Sequence, residues 1–229
     1  LGFNSVERIH DLVALRHVLV SVFDKTGLPE LVLGLARECP GIEFYSTGGT
    51  HSAIAGILSS GGAGLKASLR AISDYTGQAE MAGGLVKTLD WRIYLGLLAE
   101  EGNASHEGDL ARHGAVAFDA VVGNLYPFEA AAGEAASTVE DLRQRIDIGG
   151  PAMLRAAAKN FLRVASVSSP AQYQGLLAEV RAQGGSTRLS YRRTLAAEAF
   201  GRISAFDAAI ARRFSAVDEG QLKASYLVE

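Results

Sequence analysis

Val18-Leu-Val-Ser-Val22 is a short apolar run rich in β-branched residues, and it predicts a buried strand. Leu28 to Arg37 has helical composition and is broken by Pro40-Gly41. A second strand is predicted over Ile42 to Tyr45. It runs into the polar, glycine-rich Ser46-Thr-Gly-Gly-Thr50, after which His51 to Leu58 resumes a helical pattern. Strand, helix, strand, turn, helix implies a parallel sheet, because parallel neighbours need crossover connections. Ser59 to Gly64 is small and glycine-rich and reads as a loop, and Ser68 to Ser73 as another strand. From Asp74-Tyr-Thr-Gly77 to Gly83-Gly84 the chain has the character of a long functional loop. Phe118 to Val122 predicts a strand ending at Asn124-Leu-Tyr-Pro-Phe128, and Val164 to Ser168 a further one. Helices are predicted over Ala171 to Ala182 and Tyr191 to Phe214, the latter with a break near Gly201. No internal repeat is present. One α/β domain with a helical C-terminal part accounts for the whole pattern.

Composition narrows the function classes. The 229 residues are enough for a sizeable core, 48% are hydrophobic and 21% charged, and the formal net charge is -3. That balance makes no field that would draw nucleic acid or an anionic membrane surface. The single cysteine, Cys39, excludes an internal disulfide and, before Pro40, reads as a packed thiol. The five histidines, at 10, 17, 51, 106 and 113, show no ligand spacing, so no metal is implied. There is no Gly-x-Ser-x-Gly elbow and no His-Glu-x-x-His pair. No apolar run approaches a membrane span and no signal-peptide pattern opens the sequence, so a cytoplasmic protein is expected.

The chemistry gathers at turns. Arg145-Ile-Asp147-Ile-Gly149-Gly150-Pro151 leads into an Ala-rich helical run ending on Lys159-Asn160. Proline suits the first helical position, glycines admit close backbone approach, and the free N–H groups of a helix start favour anionic or polar ligand atoms. Two helical turns from Pro151 bring Ala152, Ala156 and Lys159 to one face, which would set an acid and an amine around one polar pocket. The same segment reads equally well as a helix start followed by a surface lysine. Ser46-Thr47-Gly48-Gly49-Thr50, between strand and helix, is either a phosphate cradle or a simple helix-entry turn. Ser21-Val-Phe-Asp-Lys25-Thr-Gly27 ends the first strand, where a parallel sheet faces its ligand crevice; Lys25 either neutralises a phosphate there or is a solvated turn lysine. Lys87-Thr88 follows a flexible Gly pair. Asn124 and Tyr126 end another strand and offer an amide and a phenol, though the phenol could equally be packing. Singly each signal is modest. Their convergence on one edge of one sheet argues for a site.

These segments resemble, in order, the IMP cyclohydrolase domain of the bifunctional AICAR transformylase/IMP cyclohydrolase family of purine synthesis. The elements are Ser21 to Gly27, Ser46 to Thr50, Ser73-Asp-Tyr-Thr-Gly77, Val86-Lys-Thr-Leu89, Asn124 to Phe128, and Ile146 to Asn160. The match runs from about His17 to Val217, with residues 1–16 an N-terminal extension and 218–229 a C-terminal tail. The resemblance implies a methylglyoxal-synthase-like α/β fold, a homodimer, and no cofactor or metal. It also implies closure of formamidoimidazole-carboxamide ribonucleotide (FAICAR) to inosine monophosphate with loss of water. There is no room for the transformylase domain, so a stand-alone cyclohydrolase or a truncated chain is expected, with a separate AICAR formyltransferase as a candidate supplier of its substrate. By the resemblance, Lys25, Thr47, Gly48, Gly49 and Thr50, with Ser21, hold the 5′-phosphate. Lys87 and Thr88 approach the reacting base, while Asn124, Tyr126 and the Gly149-Gly150 backbone orient it. Asp147 and Lys159 move protons, and one of the two lysines, Lys87 or Lys159, supports the developing oxyanion.

Departures from the family pattern are Leu85, Asp90 and Trp91 where it carries arginine, histidine and proline, and Phe23 in place of a serine. Asp90 is expected as a solvated turn residue rather than a compensating site group. The departures also motivate a second expectation, a non-catalytic purine-nucleotide-binding module of the same fold. A methylglyoxal synthase is a more distant alternative.

Overall fold

The computed structural model of the chain describes residue 6 and residues 8–62, 64–78, 88–125, 128 and 138–227. In chain order these form β1 (Leu12–Ala14), β2 (His17–Val22), α1 (Leu28–Glu38), β3 (Ile42–Ser46) and α2 (Gly48–Ser60). There follow β4 (Ala67–Ala71), α3 (Ile72–Thr76), α4 (Trp91–Leu98), α5 (Ala104–Arg112), β5 (Ala120–Asn124) and α6 (Val139–Gln144). Next come α7 (Gly149–Lys159), β6 (Ala165–Val167), a 3-10 turn (Pro170–Gln172), α8 (Tyr173–Ala182), β7 (Ser186–Arg188), α9 (Leu189–Ser215) and α10 (Glu219–Ser225).

Five strands form a parallel sheet in the order β4-β3-β2-β5-β6. Side chains of successive strand residues point to opposite faces, and here both faces are covered, so apolar residues dominate both faces of the central strands. Val18, Val20 and Val22 of β2 join Ile42 and Phe44 of β3 under α1, α2 and α8, with Leu28, Leu31, Leu35, Ile54 and Leu176. Leu19, Tyr45 and Val121 point the other way, onto Ile93 and Leu97 of α4, Met153 and Leu154 of α7, and Ile203 of α9. The α/β architecture expected from the sequence, a parallel sheet flanked by helices with further C-terminal helices, is the one observed.

Several elements differ from the pattern-based expectation. Within the expected N-terminal extension, Leu12–Ala14 form β1, which pairs antiparallel with β7, Leu12 opposite Arg188. The Asp119 carboxylate accepts from the amides of Arg16 and His17 at 2.8 and 2.9 Å. Such three-residue strands are too short to show a period. The strand predicted to Ser73 stops at Ala71, and Ile72–Thr76 turns as a helix capped by Gly77 in the left-handed region, φ 75°. The rest of the expected functional loop, 79–84, lies outside the described residues. Helices α4 and α5 were not expected; α5 buries none of its residues and so carries no apolar stripe. Helix α9 runs unbroken through Gly201, held by Leu195, Ala199, Ile203 and Phe206 along its buried face. The C-terminal tail also packs back: Ser225 Oγ accepts from the Val139 amide, and the Tyr226 hydroxyl donates to Glu140.

Candidate functional site

The strand order reverses between β2 and β5. After β2 the chain builds outward through β3 and β4, whereas after β5 it builds outward through β6 on the other side. Loops leaving the carboxyl ends of two such strands diverge and open a crevice, the usual ligand position in an open parallel sheet. Most of the sequence-predicted residues converge there.

Val22 of β2 lies opposite Asn124 of β5. The Asn124 side chain then governs the turn after β2: its Oδ1 accepts from the amides of Phe23 and Asp24 at 2.8 and 2.9 Å, and its Nδ2 donates to the Asp24 carbonyl at 2.7 Å. Asp24 in turn accepts from the Thr26 amide at 2.8 Å, and hydrogen bonding from the Thr26 hydroxyl, then from its amide, holds the carboxyl below its ordinary value. The turn closes with Gly27 at φ 71°, a left-handed conformation that favours glycine, directly before α1. Lys25 projects from this turn and is exposed.

On the neighbouring strand, Ser46 Oγ donates to the Val20 carbonyl at 2.7 Å. Thr50, in the first turn of α2, donates to the Val22 carbonyl at 3.0 Å and accepts from the Val22 amide at 3.3 Å. Its buried hydroxyl therefore fastens α2 to the end of β2 and is not free for a ligand. Thr47 is the N-cap of α2 without a side-chain capping bond, and Gly48 and Gly49 are exposed. The free amides of this helix start, beside the Lys25 turn, form a cationic and dipolar end suited to an anion. Ser21 is half-buried one residue before Val22.

The other wall is the start of α7. Asp147 Oδ1 accepts from the Gly150 amide at 3.1 Å. Burial pushes the Asp147 carboxyl above the ordinary aspartate value, with the Gly150 and Gly149 amides opposing that shift. Thr88 is buried, and a β-carbon at Gly149 would stand 2.7 Å from its Oγ1, so only glycine lets the helix start approach it. Leu125, just past β5, touches the same helix start at Gly150. Asp147, Thr88, Gly149, Gly150 and the end of β5 are thus contiguous.

Lys159 is not brought there. It is exposed at the far end of α7, ten residues from Gly149, and at 1.5 Å per residue that is about 15 Å along the axis. The next residue, Asn160, donates to the carbonyls of Leu97 and Ala99, tying this end of α7 to the end of α4. The expectation of one pocket shared by acid and amine counted helical faces and overlooked helical rise. Lys87 and Tyr126 lie outside the described residues, as does Leu85.

Asp90 is not a solvated turn residue. It is buried and caps α4, accepting from the Arg92 amide at 2.8 Å. Trp91 beside it is exposed and meets His113 edge-on at 4.6 Å. Phe23 is 48% exposed on the Lys25 turn, so an aromatic surface borders the crevice where a serine was expected. Sequence reasoning missed Tyr173, which opens α8 and reaches the underside of the same turn. The rule that helices following parallel strands begin at the ligand edge was the signal that pointed to it.

Fold and crevice together define an open parallel α/β protein with an anion-favouring helix start and a half-buried carboxyl at the same edge of its sheet. The sequence profile of the AICARFT/IMPCHase bienzyme family matches residues 157–228. The bifunctional purine biosynthesis protein PurH of Rhizobium rhizogenes is 43% identical over 208 residues, covering 90% of this chain and 36% of that protein. PurH of Bradyrhizobium diazoefficiens is 46% identical over 197 residues, covering 86% of this chain and 35% of that one. The crystal structure of ForH superposes with a TM-score of 0.69 at 31% identity, covering 88% of this chain and all of that chain. The chain belongs to the AICARFT/IMPCHase family, and it spans little more than a third of the length of the curated relatives it matches.

Proposed function

We propose that this chain is an IMP cyclohydrolase, closing FAICAR to inosine monophosphate and water. The observation that carries the reading is the Asp147 carboxyl, half-buried near Thr88 at the start of α7, with a raised pKa. Ring closure needs the weakly nucleophilic carboxamide nitrogen to attack the neighbouring formyl carbon. One of its protons passes through a base to the formyl oxygen; the formamide N–H then gives up its proton as the ring C=N bond forms and the C–O bond breaks, releasing water. A carboxylate with a raised pKa is a better proton acceptor than an ordinary aspartate and can return the proton to the departing oxygen. Both reacting groups belong to one molecule, so orientation supplies much of the remaining rate. The 5′-phosphate is assigned to Lys25 and the α2 amides at Thr47, Gly48 and Gly49, with Ser21 at the edge. Thr50 and Asn124 serve by holding these turns in position. Lys87 and Tyr126 keep the roles expected from the resemblance, at the reacting base.

Asp147 and Lys159 stand at opposite ends of α7, about 15 Å apart along its axis. We therefore assign the lysine that shares a site with Asp147 to a second copy, in keeping with the homodimer that the family implies.

Asp147→Asn retains the shape and removes the base, and cyclisation followed by ultraviolet absorbance is expected to slow by about 100-fold or more. An unchanged kcat would defeat the assignment. Lys159→Ala is expected to lose activity alone and to regain part of it when mixed and reassembled with Asp147→Ala chains. No recovery from mixed chains that demonstrably reassemble would put Lys159 outside the site.

The exposed Phe23 favours one second reading, a nucleotide-binding module without turnover. Saturable binding of inosine monophosphate by a protein that never cyclises FAICAR would select it.

A further inference from the structure

We propose that Tyr173 is a positioning residue that clamps the Lys25 turn from beneath and so sets the geometry of the phosphate end of the crevice. The proposal rests on the cyclohydrolase reading for its substrate and on contacts in the fold for the clamp itself.

Tyr173 is 2% exposed and enters from α8, a helix that follows the edge strand β6. Its ring meets one end of the turn: a β-carbon at Gly27 would stand 3.3 Å from Tyr173 Cδ2. Its hydroxyl reaches the other end. There the Asn124 amide lies close enough to favour the ionised phenol, and the Asp24 carboxylate is near enough to disfavour it. Yet the buried hydroxyl makes no well-formed hydrogen bond among the described residues. Burial is the main cause that raises the phenol to about 12, so it is neutral at working pH and acts only as a donor or acceptor.

The hydrogen-bond inventory of Asn124 gives this placement a purpose. The side chain offers two acceptor sites and two donors. Both acceptor sites are used by the Phe23 and Asp24 amides, and one donor by the Asp24 carbonyl. One amide hydrogen remains, and the Tyr173 oxygen is the group near it. Asn124 sets the backbone of the turn and Tyr173 sets Asn124, while Lys25 rides between the two points of contact. A buried hydroxyl kept so near yet short of ideal geometry suits a contact that tightens when ligand closes the turn.

Tyr173→Phe keeps the ring against Gly27 and deletes only the hydroxyl. In the ligand-free protein, where this hydroxyl makes no full hydrogen bond, the Phe23 and Asp24 amides are expected to exchange with deuterium about twofold faster. With FAICAR, where the contact tightens, KM is expected to rise about fivefold to tenfold, the loss of one net hydrogen bond, while kcat changes much less. Unchanged exchange in a variant that folds with the wild-type melting temperature overturns the clamp. Faster exchange with unchanged KM in an active enzyme overturns its service to the substrate. Faster exchange in the variant, together with a wild-type protein that never cyclises FAICAR, leaves the clamp standing and removes the cyclohydrolase reading instead.

Discussion

At the scale of single residues, burial sets Asp147 apart from a surface aspartate, and the sign of its effect is checkable. Its pKa is raised above 3.8, so folding favours the protonated acid. Ionising it therefore costs stability progressively as pH climbs from about 3.8 through the raised value, and the full cost is present above that window. Turnover should run the opposite way, falling as pH drops through the raised value and protonates the base. Asp147→Asn removes the ionisation cost, so at neutral pH it is expected to melt higher than wild type while losing activity; a pH series of melting curves and rates checks both. The candidates legible from sequence were those announced by turn chemistry: Gly27, the Gly48-Gly49 pair, Asp147 before two glycines. The work of Thr50 and Asn124 was not legible, because their hydrogen-bond partners lie 28 and 101 residues away. Asp90 misled for a related reason, since a capping aspartate resembles any other aspartate until the helix it starts is recognised.

At the scale of elements, helices were readable where a buried stripe repeats and unreadable where it does not. Helix α1, with Leu28, Leu31, Val32, Leu35 and Ala36 inward, announces itself; α5, with no buried residue, cannot. Gly201 shows the limit of composition. A glycine inside a helix weakens it, but here the packed residues on either side outweigh that cost and α9 continues. Nothing lies within 4 Å of where its β-carbon would stand, so Gly201→Ala should add about 0.5–1 kcal/mol of stability. A urea titration with a higher midpoint and an unchanged slope is the expected result. A lower midpoint would mean that this glycine has a packing role which the described residues do not reveal.

For the whole molecule, the N-terminal segment and the C-terminal helices are joined by one buried cation. Arg192 of α9 is fully buried and donates to the carbonyls of Phe161, Leu162, Asp11 and Thr187, which belong to three separate stretches of backbone. Burial lowers its pKa, and the carboxylates of Asp11, Glu101 and Glu179 partly offset that shift. Arg192→Met fills the space but orphans those carbonyls, so it is expected to cost about 3 kcal/mol or more, read from the urea midpoint. A loss below about 1 kcal/mol would show that water replaces the guanidinium at no great penalty. Sequence gave no warning of this junction, because an arginine in a helical pattern is ordinarily solvent-facing.

The Asn124 bridge to Phe23 also bears on how the chain acquires its activity. It joins residues 101 apart, and β2 cannot pair with β5 until the intervening chain has been drawn in. Contacts of such long sequence separation are entropically slow to form. A partly assembled molecule would have its local helices and no crevice, so a nucleotide cannot guide early folding. It can only trap the finished state, raising resistance to unfolding in proportion to the logarithm of its concentration.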